Sequence, residues 1–233
     1  MNGIVGALGF GFLLGLRHAL DPDHVVAVTN MATGRKSLWY AGLIGLLWGI
    51  GHAGVLLPVG LIWILLGVEV PAAWAQRFEA LVGLVLLAMG LWTLRRYRSE
   101  QVHAHVHAHD GVTHVHFHSH QGGRDHDHAH DSATTPVRAA LPSFFPVLIG
   151  MAHGLAGSSA VLLLTLSLVS RREAFPFLML FSLGSILSMG SLATLLGALI
   201  QAANNHLPGV HRHLWAASGV LSCLMGAWLL LTA

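Results

Sequence analysis

The sequence predicts an all-α integral membrane protein: six transmembrane helices forming two inverted three-helix repeats, with the first and fourth helices discontinuous. Three observations predict it. The 233 residues are 54% hydrophobic and only 9% charged, the apolar residues gather in six long stretches, and residues of one half recur in the other at a fixed offset. A soluble domain carries about a quarter charged residues, whereas a hydrocarbon core roughly 30 Å thick calls for about 20 consecutive apolar residues per helix.

In order, the stretches fall at about 3–33, 38–67, 76–95, 142–169, 174–203 and 213–232. The first twenty residues lack a basic leader and a small-residue cleavage site, so they read as a mature helix and not as a signal peptide. Residues 1–95 form the first repeat and 142–233 the second. Residues 96–141 between them are polar, hold eleven of the eighteen histidines, and have the Gly, Asp and Ser content of a disordered loop. Cys223, the one cysteine, excludes an internal disulfide and a Cys-based metal cluster. It reads as a small buried hydrophobe. The tryptophans Trp48, Trp63, Trp74, Trp92 and Trp215 read as interfacial belt or packing residues.

The repeat rests on three pairs of segments. Gly83, Met89, Gly90 and Trp92 recur 136 positions on as Gly219, Met225, Gly226 and Trp228. Gly15, His18 and Leu20 recur at 135 as Gly150, His153 and Leu155, and His52-Ala53-Gly54 aligns with Ser188-Met189-Gly190. Three is odd, so the second half inserts upside down, an architecture of secondary transporters whose sites lie at the repeat interface near the midplane. Lys and Arg set the orientation. Arg35, Lys36, Arg95, Arg96, Arg98 and Arg212 share one face against Arg77, Arg171 and Arg172 on the other. This places the histidine-rich loop in the cytoplasm and both termini outside a cell inner membrane.

The first stretch carries Arg17-His-Ala-Leu-Asp-Pro-Asp-His24. Ionisable groups at that depth are costly, about 2.5–3.5 kcal/mol for a mid-bilayer Asp on insertion scales, and they mark function. Imidazole beside carboxylate suits a divalent transition metal. In an unbroken helix His18 and Asp23 would point about 140° apart. Pro22 removes an amide donor and so frees the His18 carbonyl, breaks the helix, and lets His18, Asp21, Asp23 and His24 turn toward one point. The alternative for this cluster is a hydrogen-bond network bridging helices. Asp21 is a candidate ligand, a second-shell partner, or an ion pair with Arg17. In the second half Gly157 is the matching helix breaker, within His153-Gly-Leu-Ala-Gly-Ser-Ser159. His52, in Trp48-Gly-Ile-Gly-His-Ala-Gly54, is a candidate ligand flanked by small residues that let another helix approach. His153 is as readily structural as ligating.

Arg17–His24 resembles the His-x4-Asp-His signature of the nickel/cobalt transporter family of membrane permeases, and Leu47–Val55 resembles that family's Gly-His motif in the next helix. The likeness is clearest over residues 11–60 and is to the shorter, six-helix branch associated with urease or hydrogenase. The longer members have eight helices, and Pro22 stands where a small residue is usual. The resemblance implies that His18, Asp23, His24 and His52 bind Ni2+ or Co2+ in transit, with Asp21 and His153 as further candidates.

The loop histidines alternate with other residues: His103, His105, His107 and His109, then His114, His116, His118 and His120, then His126, His128 and His130. Such tracts bind borderline metals with little geometric demand. They read as an auxiliary buffer or sensor, with a solvated linker as the alternative. The expected function is secondary transport of Ni2+, with Co2+, in the uptake direction. Its rivals are efflux through the same site and a membrane metalloenzyme with a fixed metal. No fixed cofactor is expected. The expected partners are the divalent ion and the lipid bilayer, with a cytoplasmic metallochaperone as a candidate. No basic stripe suggests nucleic acid, and no phosphate-binding Gly-x4-Gly-Lys-[Ser/Thr] run suggests ATP hydrolysis.

Overall fold

Proline ends the first helix where the sequence says it should. In the computed structural model, which describes residues 2–32, 37–67, 71–99, 103–109, 112–118, 144–206 and 210–233, the first stretch forms α1 (Asn2–His18) and α2 (Pro22–Ala32). The turn between them pairs its own backbone. Leu20 N–H donates to the Arg17 carbonyl at 2.9 Å, and Asp21 N–H donates to the His18 carbonyl at 3.1 Å. The carbonyl that Pro22 cannot serve is therefore not free, contrary to the sequence expectation. A tightened last turn takes it instead.

The remaining helices are α3 (Leu38–Leu66), α4 (Ala72–Ser99), α5 (Phe145–Leu168), α6 (Arg171–His206) and α7 (Val210–Thr232). Local chemistry sets their ends. Ser37 caps α3, and Gly67 closes it at φ 65° with its N–H on the Trp63 carbonyl. Glu173 caps the start of α6 from its side chain: its carboxylate accepts from Ser170 N–H at 3.1 Å and from Ser170 Oγ at 2.8 Å. Among the described residues, four helical stretches are long and apolar enough to cross a membrane: Leu38–Leu66, Ala73–Arg98, Arg171–Ala203 and Arg212–Thr232. Val5–His18 and Phe145–Gly157 are apolar but shorter.

The expected break in the fourth stretch is absent, for α5 runs as one helix through Gly157. Glycine only weakens a helix, by about 1 kcal/mol against alanine, whereas proline removes the donor and clashes. Within 96–141 the structure also departs from a plain loop. Helix α4 continues to Ser99, and β1 (His103–His109) pairs antiparallel with β2 (Val112–His118). Alternation with period two suits a strand. The register sets His103 opposite His118, His105 opposite His116 and His107 opposite His114.

Helices pack through glycines. Helix α3 lies against α6 and α5, α1 against α6, and α4 against α7. At the α4–α7 crossing a Cβ on Gly83 would come within 2.9 Å of the Gly226 carbonyl oxygen, and one on Gly226 within 2.6 Å of the Gly83 oxygen. Gly90 and Gly219 stand in the same reciprocal relation, and Ser222 Oγ donates to the Leu86 carbonyl between them at 2.7 Å. The outward face is apolar, with Leu65, Leu199 and Leu231 more than half exposed. On a helix bundle this size such a surface belongs to lipid. Arg96 lies over the Trp92 and Trp215 rings and Arg212 over the Tyr97 ring. This fixes the end of α4 beside the start of α7, with cations and aromatics together as at a membrane interface.

Candidate metal centre

Three imidazoles meet where three helices converge. His18 ends α1, His24 lies in the first turn of α2, and His52 lies midway along α3. One ring nitrogen from each lies within 4.8 Å of the others, and His18 Nε2 is 3.2 Å from His52 Nε2. Ring centroids are 4.6 Å apart for His18–His24, 5.1 Å for His18–His52 and 5.6 Å for His24–His52. Two imidazoles sharing one ion at about 2.1 Å each put their centroids roughly 4.5–5.5 Å apart. The spacing suits a shared ion.

Backbone-close packing brings these rings together. A Cβ on Gly15 would overlap the Phe181 carbonyl, one on Gly150 the Trp48 carbonyl and one on Gly154 the His52 carbonyl, so no side chain fits at those crossings. The broken end of α1 is held from α6. Ser188 Oγ donates to the Leu16 carbonyl at 2.7 Å and Ser185 Oγ to the Gly15 carbonyl at 3.2 Å. Leu20 N–H has turned to Arg17 instead of Leu16, so Ser188 supplies the donor that the break took away.

Burial makes the nitrogens available. His24, His52 and His153 are at most 2% exposed. Both ring nitrogens of His24, Nδ1 of His52 and Nε2 of His153 have no hydrogen-bond partner. A buried polar atom left unpaired costs about 1–3 kcal/mol. A neutral ring carries one N–H and one lone pair, so His24, His52 and His153 each offer one lone pair suited to a cation.

Asp21 and Asp23 occupy different positions. Asp21 Oδ2 lies 2.8 Å from His18 Nδ1. Its carboxylate holds the proton-bearing nitrogen and turns His18 Nε2 inward, the usual arrangement behind a ligating histidine. Among the described residues Asp21 pairs with His18 and not with Arg17. Asp23 Oδ1 is 3.7 Å from His24 Nδ1, beyond a hydrogen bond, and its side chain is 28% exposed. The structure thus brings His18, His24 and His52 together and leaves Asp23 at the rim. Consecutive residues of α2 point about 100° apart, so His24 turns inward while Asp23 lies beside it at the edge of the cluster.

His153, on α5, donates from Nδ1 to the Ile149 carbonyl at 2.9 Å, and its ring lies 5.4 Å from that of His24. Two neighbours that the sequence marked only as a packing residue and a helix breaker, Trp48 and Gly157, line the cluster. Trp48 is fully buried, with its ring 5.0 Å from His24 and 5.5 Å from His153. Its position four residues before His52, on one helix face, was the available signal. Gly157 faces the cluster: a Cβ there would lie 3.6 Å from His18 Cε1, 3.7 Å from His18 Nε2 and 3.9 Å from His52 Nε2. His103, His105, His107, His109, His114, His116 and His118 lie on the two strands, away in sequence from this cluster, while His120, His126, His128 and His130 fall outside the described residues.

Over 224 residues the chain is 31% identical to the urease accessory protein UreH of Bacillus sp. (strain TB-90), covering 96% of this chain and 90% of that protein. The chain belongs to the nickel/cobalt transporter family. A second relative, 33% identical over 96 residues and covering 40% of this chain and 44% of the other, is a Methanocaldococcus jannaschii protein named for nickel/cobalt efflux. The Arabidopsis thaliana chloroplast protein FOR GROWTH AND FERTILITY 2 is 27% identical over 222 residues, 93% of this chain and 54% of its own length. No family model matches the chain, and no solved structure matches it. Family membership, the apolar helices and the histidine cluster agree on a multi-pass membrane protein related to nickel/cobalt transport and accessory proteins.

Proposed function

We propose that the protein is a secondary transporter that takes up Ni2+, and Co2+, through His18, His24 and His52. The observation that carries this reading is the convergence of those three imidazoles from α1, α2 and α3, two of them buried, with ring nitrogens of His24 and His52 that have no hydrogen-bond partner. Neutral imidazole binds borderline divalent ions with few geometric demands. Asp21 orients His18, and Asp23 beside His24 supplies negative charge as the ion sheds water.

Two inverted three-helix halves rocking about the α4–α7 and α3–α6 crossings would expose the cluster to each side in turn. The glycine contacts support this. Exchanging positions 136 apart turns the Gly83–Gly226 contact into Gly219–Gly90, which is the other contact at the same crossing. The positive residues favour a cytoplasmic histidine-rich segment with both termini outside the inner membrane. That segment would act as an auxiliary metal buffer at the inner mouth, where it could hand the ion to a metallochaperone. The name of the Methanocaldococcus jannaschii relative favours a second reading, export through the same site.

Labelled nickel separates the two. Cells expressing the protein accumulate 63Ni2+ if it imports; lowered accumulation with raised nickel tolerance refutes uptake in favour of export. Asp23→Asn in the same cells should abolish transport while the protein stays inserted. Undiminished transport would remove the charge role of that carboxylate.

A further inference from the structure

His18 and His153 occupy corresponding places in the two halves, 135 positions apart, and the structure gives them the same wiring. Each has Nδ1 tied to a local acceptor, Asp21 Oδ2 at 2.8 Å for His18 and the Ile149 carbonyl at 2.9 Å for His153. Each therefore presents Nε2 as its free lone pair. His18 Nε2 points to His52 at 3.2 Å, whereas His153 Nε2 is buried with no partner. His24 stands between the two, its ring 4.6 Å from His18 and 5.4 Å from His153.

They differ in access. The His18 side chain is 12% exposed and lies next to Asp21, whose side chain is 48% exposed, so the cluster opens on that side. His153 is 2% exposed, stands outside the set of three whose ligand atoms lie within 4.8 Å, and packs edge-on to Trp48 at 5.5 Å. A purely structural histidine in this place would leave its Nε2 lone pair unsatisfied, at a cost of about 1–3 kcal/mol. An apolar side chain would fill the space without that cost.

We propose that the ion crosses by exchanging His18 for His153 around His24 and His52, so that His153 is the ligand of the state open to the opposite face. This rests on the transport reading above. In the arrangement described here the ion sits on His18, His24 and His52. When the halves rock, α1 stays with α6, against which it packs, so the α1–α2 turn bends and carries His18 away while α5 brings His153 Nε2 to the ion. The ion thus keeps at least two imidazoles throughout and is never released into a dry interior.

The test separates binding from movement. His153→Asn keeps an amide N–H where Nδ1 donates to Ile149 and removes Nε2. Ni2+ binding to the purified protein by calorimetry and 63Ni2+ uptake into proteoliposomes are measured on the same preparation, with His18→Ala as control. The expected result for His153→Asn is a Ni2+ Kd within about threefold of wild type and transport reduced by about tenfold or more. Transport within twofold of wild type overturns the proposal. A Kd that weakens in step with transport also overturns it, because His153 would then be a static fourth ligand. If His153→Asn does not yield monodisperse protein, His153→Gln, with a polar atom near the Nε2 position, is put through the same two measurements with partial transport expected. His18→Ala should lose both the Ni2+ binding of the three-imidazole cluster and transport, while the binding contributed by residues 103–130 persists. If it loses neither, the underlying transport site fails; if it loses both while His153→Asn transports normally, only the exchange fails.

Discussion

Adding one methyl group at Gly157 should make the protein more stable and a worse transporter. The stability side follows from α5 being unbroken at that position. Alanine replaces glycine inside a helix with a gain of up to about 1 kcal/mol, and the new Cβ would meet its nearest neighbours at 3.6, 3.7 and 3.9 Å, ordinary van der Waals separations. The functional side follows from what those neighbours are: His18 Cε1, His18 Nε2 and His52 Nε2. The two Nε2 atoms are 3.2 Å apart. An ion about 2.1 Å from both sits about 1.4 Å off the line joining them. On the α5 side this brings it to roughly 2 Å from the added carbon, where an oxygen ligand belongs. The methyl group therefore closes the position at which the ion keeps a water or exchanges one. We expect Gly157→Ala to leave the melting temperature equal or higher, while Ni2+ affinity and proteoliposome uptake fall by about tenfold, equivalent to about 1.4 kcal/mol. Unchanged uptake with a raised melting temperature would refute the claim that the open side of the site faces α5. A lowered melting temperature would refute the packing on which the calculation rests.

Three further outcomes follow from the same geometry. Asp21→Ala removes the acceptor for His18 Nδ1; losing such a partner costs about 10–100-fold in metal affinity, and the half-exposed carboxylate places this one at the lower end, measured by calorimetry with little change in melting temperature. Gly150→Ala puts a Cβ against the Trp48 carbonyl and 3.0 Å from His52 N, so α5 must move off α3; about 1–3 kcal/mol of stability should be lost in thermal melts, together with Ni2+ binding. Deleting 103–130 should change the capacity or apparent affinity of uptake without ending it, and complete loss of proteoliposome transport would show that the histidine-rich segment lies on the path.

What the sequence revealed and what it hid divide along the range of the forces involved. Pro22 acts on its own turn, so the break between α1 and α2 was legible. So were four of the six expected spans, those of α3, α4, α6 and α7, because apolar run length is a local property. Gly157 looked like a second break because of its place in the repeat, but glycine permits a bend without imposing one, and its role here is the space it leaves beside His18 and His52. His18, His24 and His52 could be named because imidazoles are costly in an apolar helix. That Asp23 would lie at the rim beside His24, with its side chain 28% exposed, depended on α2 starting at Pro22. Ser188 was visible only as the counterpart of His52. Its bond to the Leu16 carbonyl joins residues 172 apart and is a product of the assembled bundle.

The position of the carboxylates bears on how a transporter of this kind releases its ion. Asp21 and Asp23 lie at the rim, 48% and 28% exposed, while among the described residues the groups that meet at the centre are the imidazoles of His18, His24 and His52. A carboxylate among the three rings would neutralise part of the ion's charge in a low-dielectric interior, and that attraction is steep there. Transport needs binding strong enough to strip water and weak enough to let go. Neutral rings inside and charges at the entrance meet both needs: the carboxylates draw the cation in, and the centre holds it through coordination without an opposing charge to trap it. Placing a carboxylate inside, as in Trp48→Glu with the rings unchanged, should therefore tighten Ni2+ binding and slow turnover. Tighter binding with faster turnover would contradict this account of release.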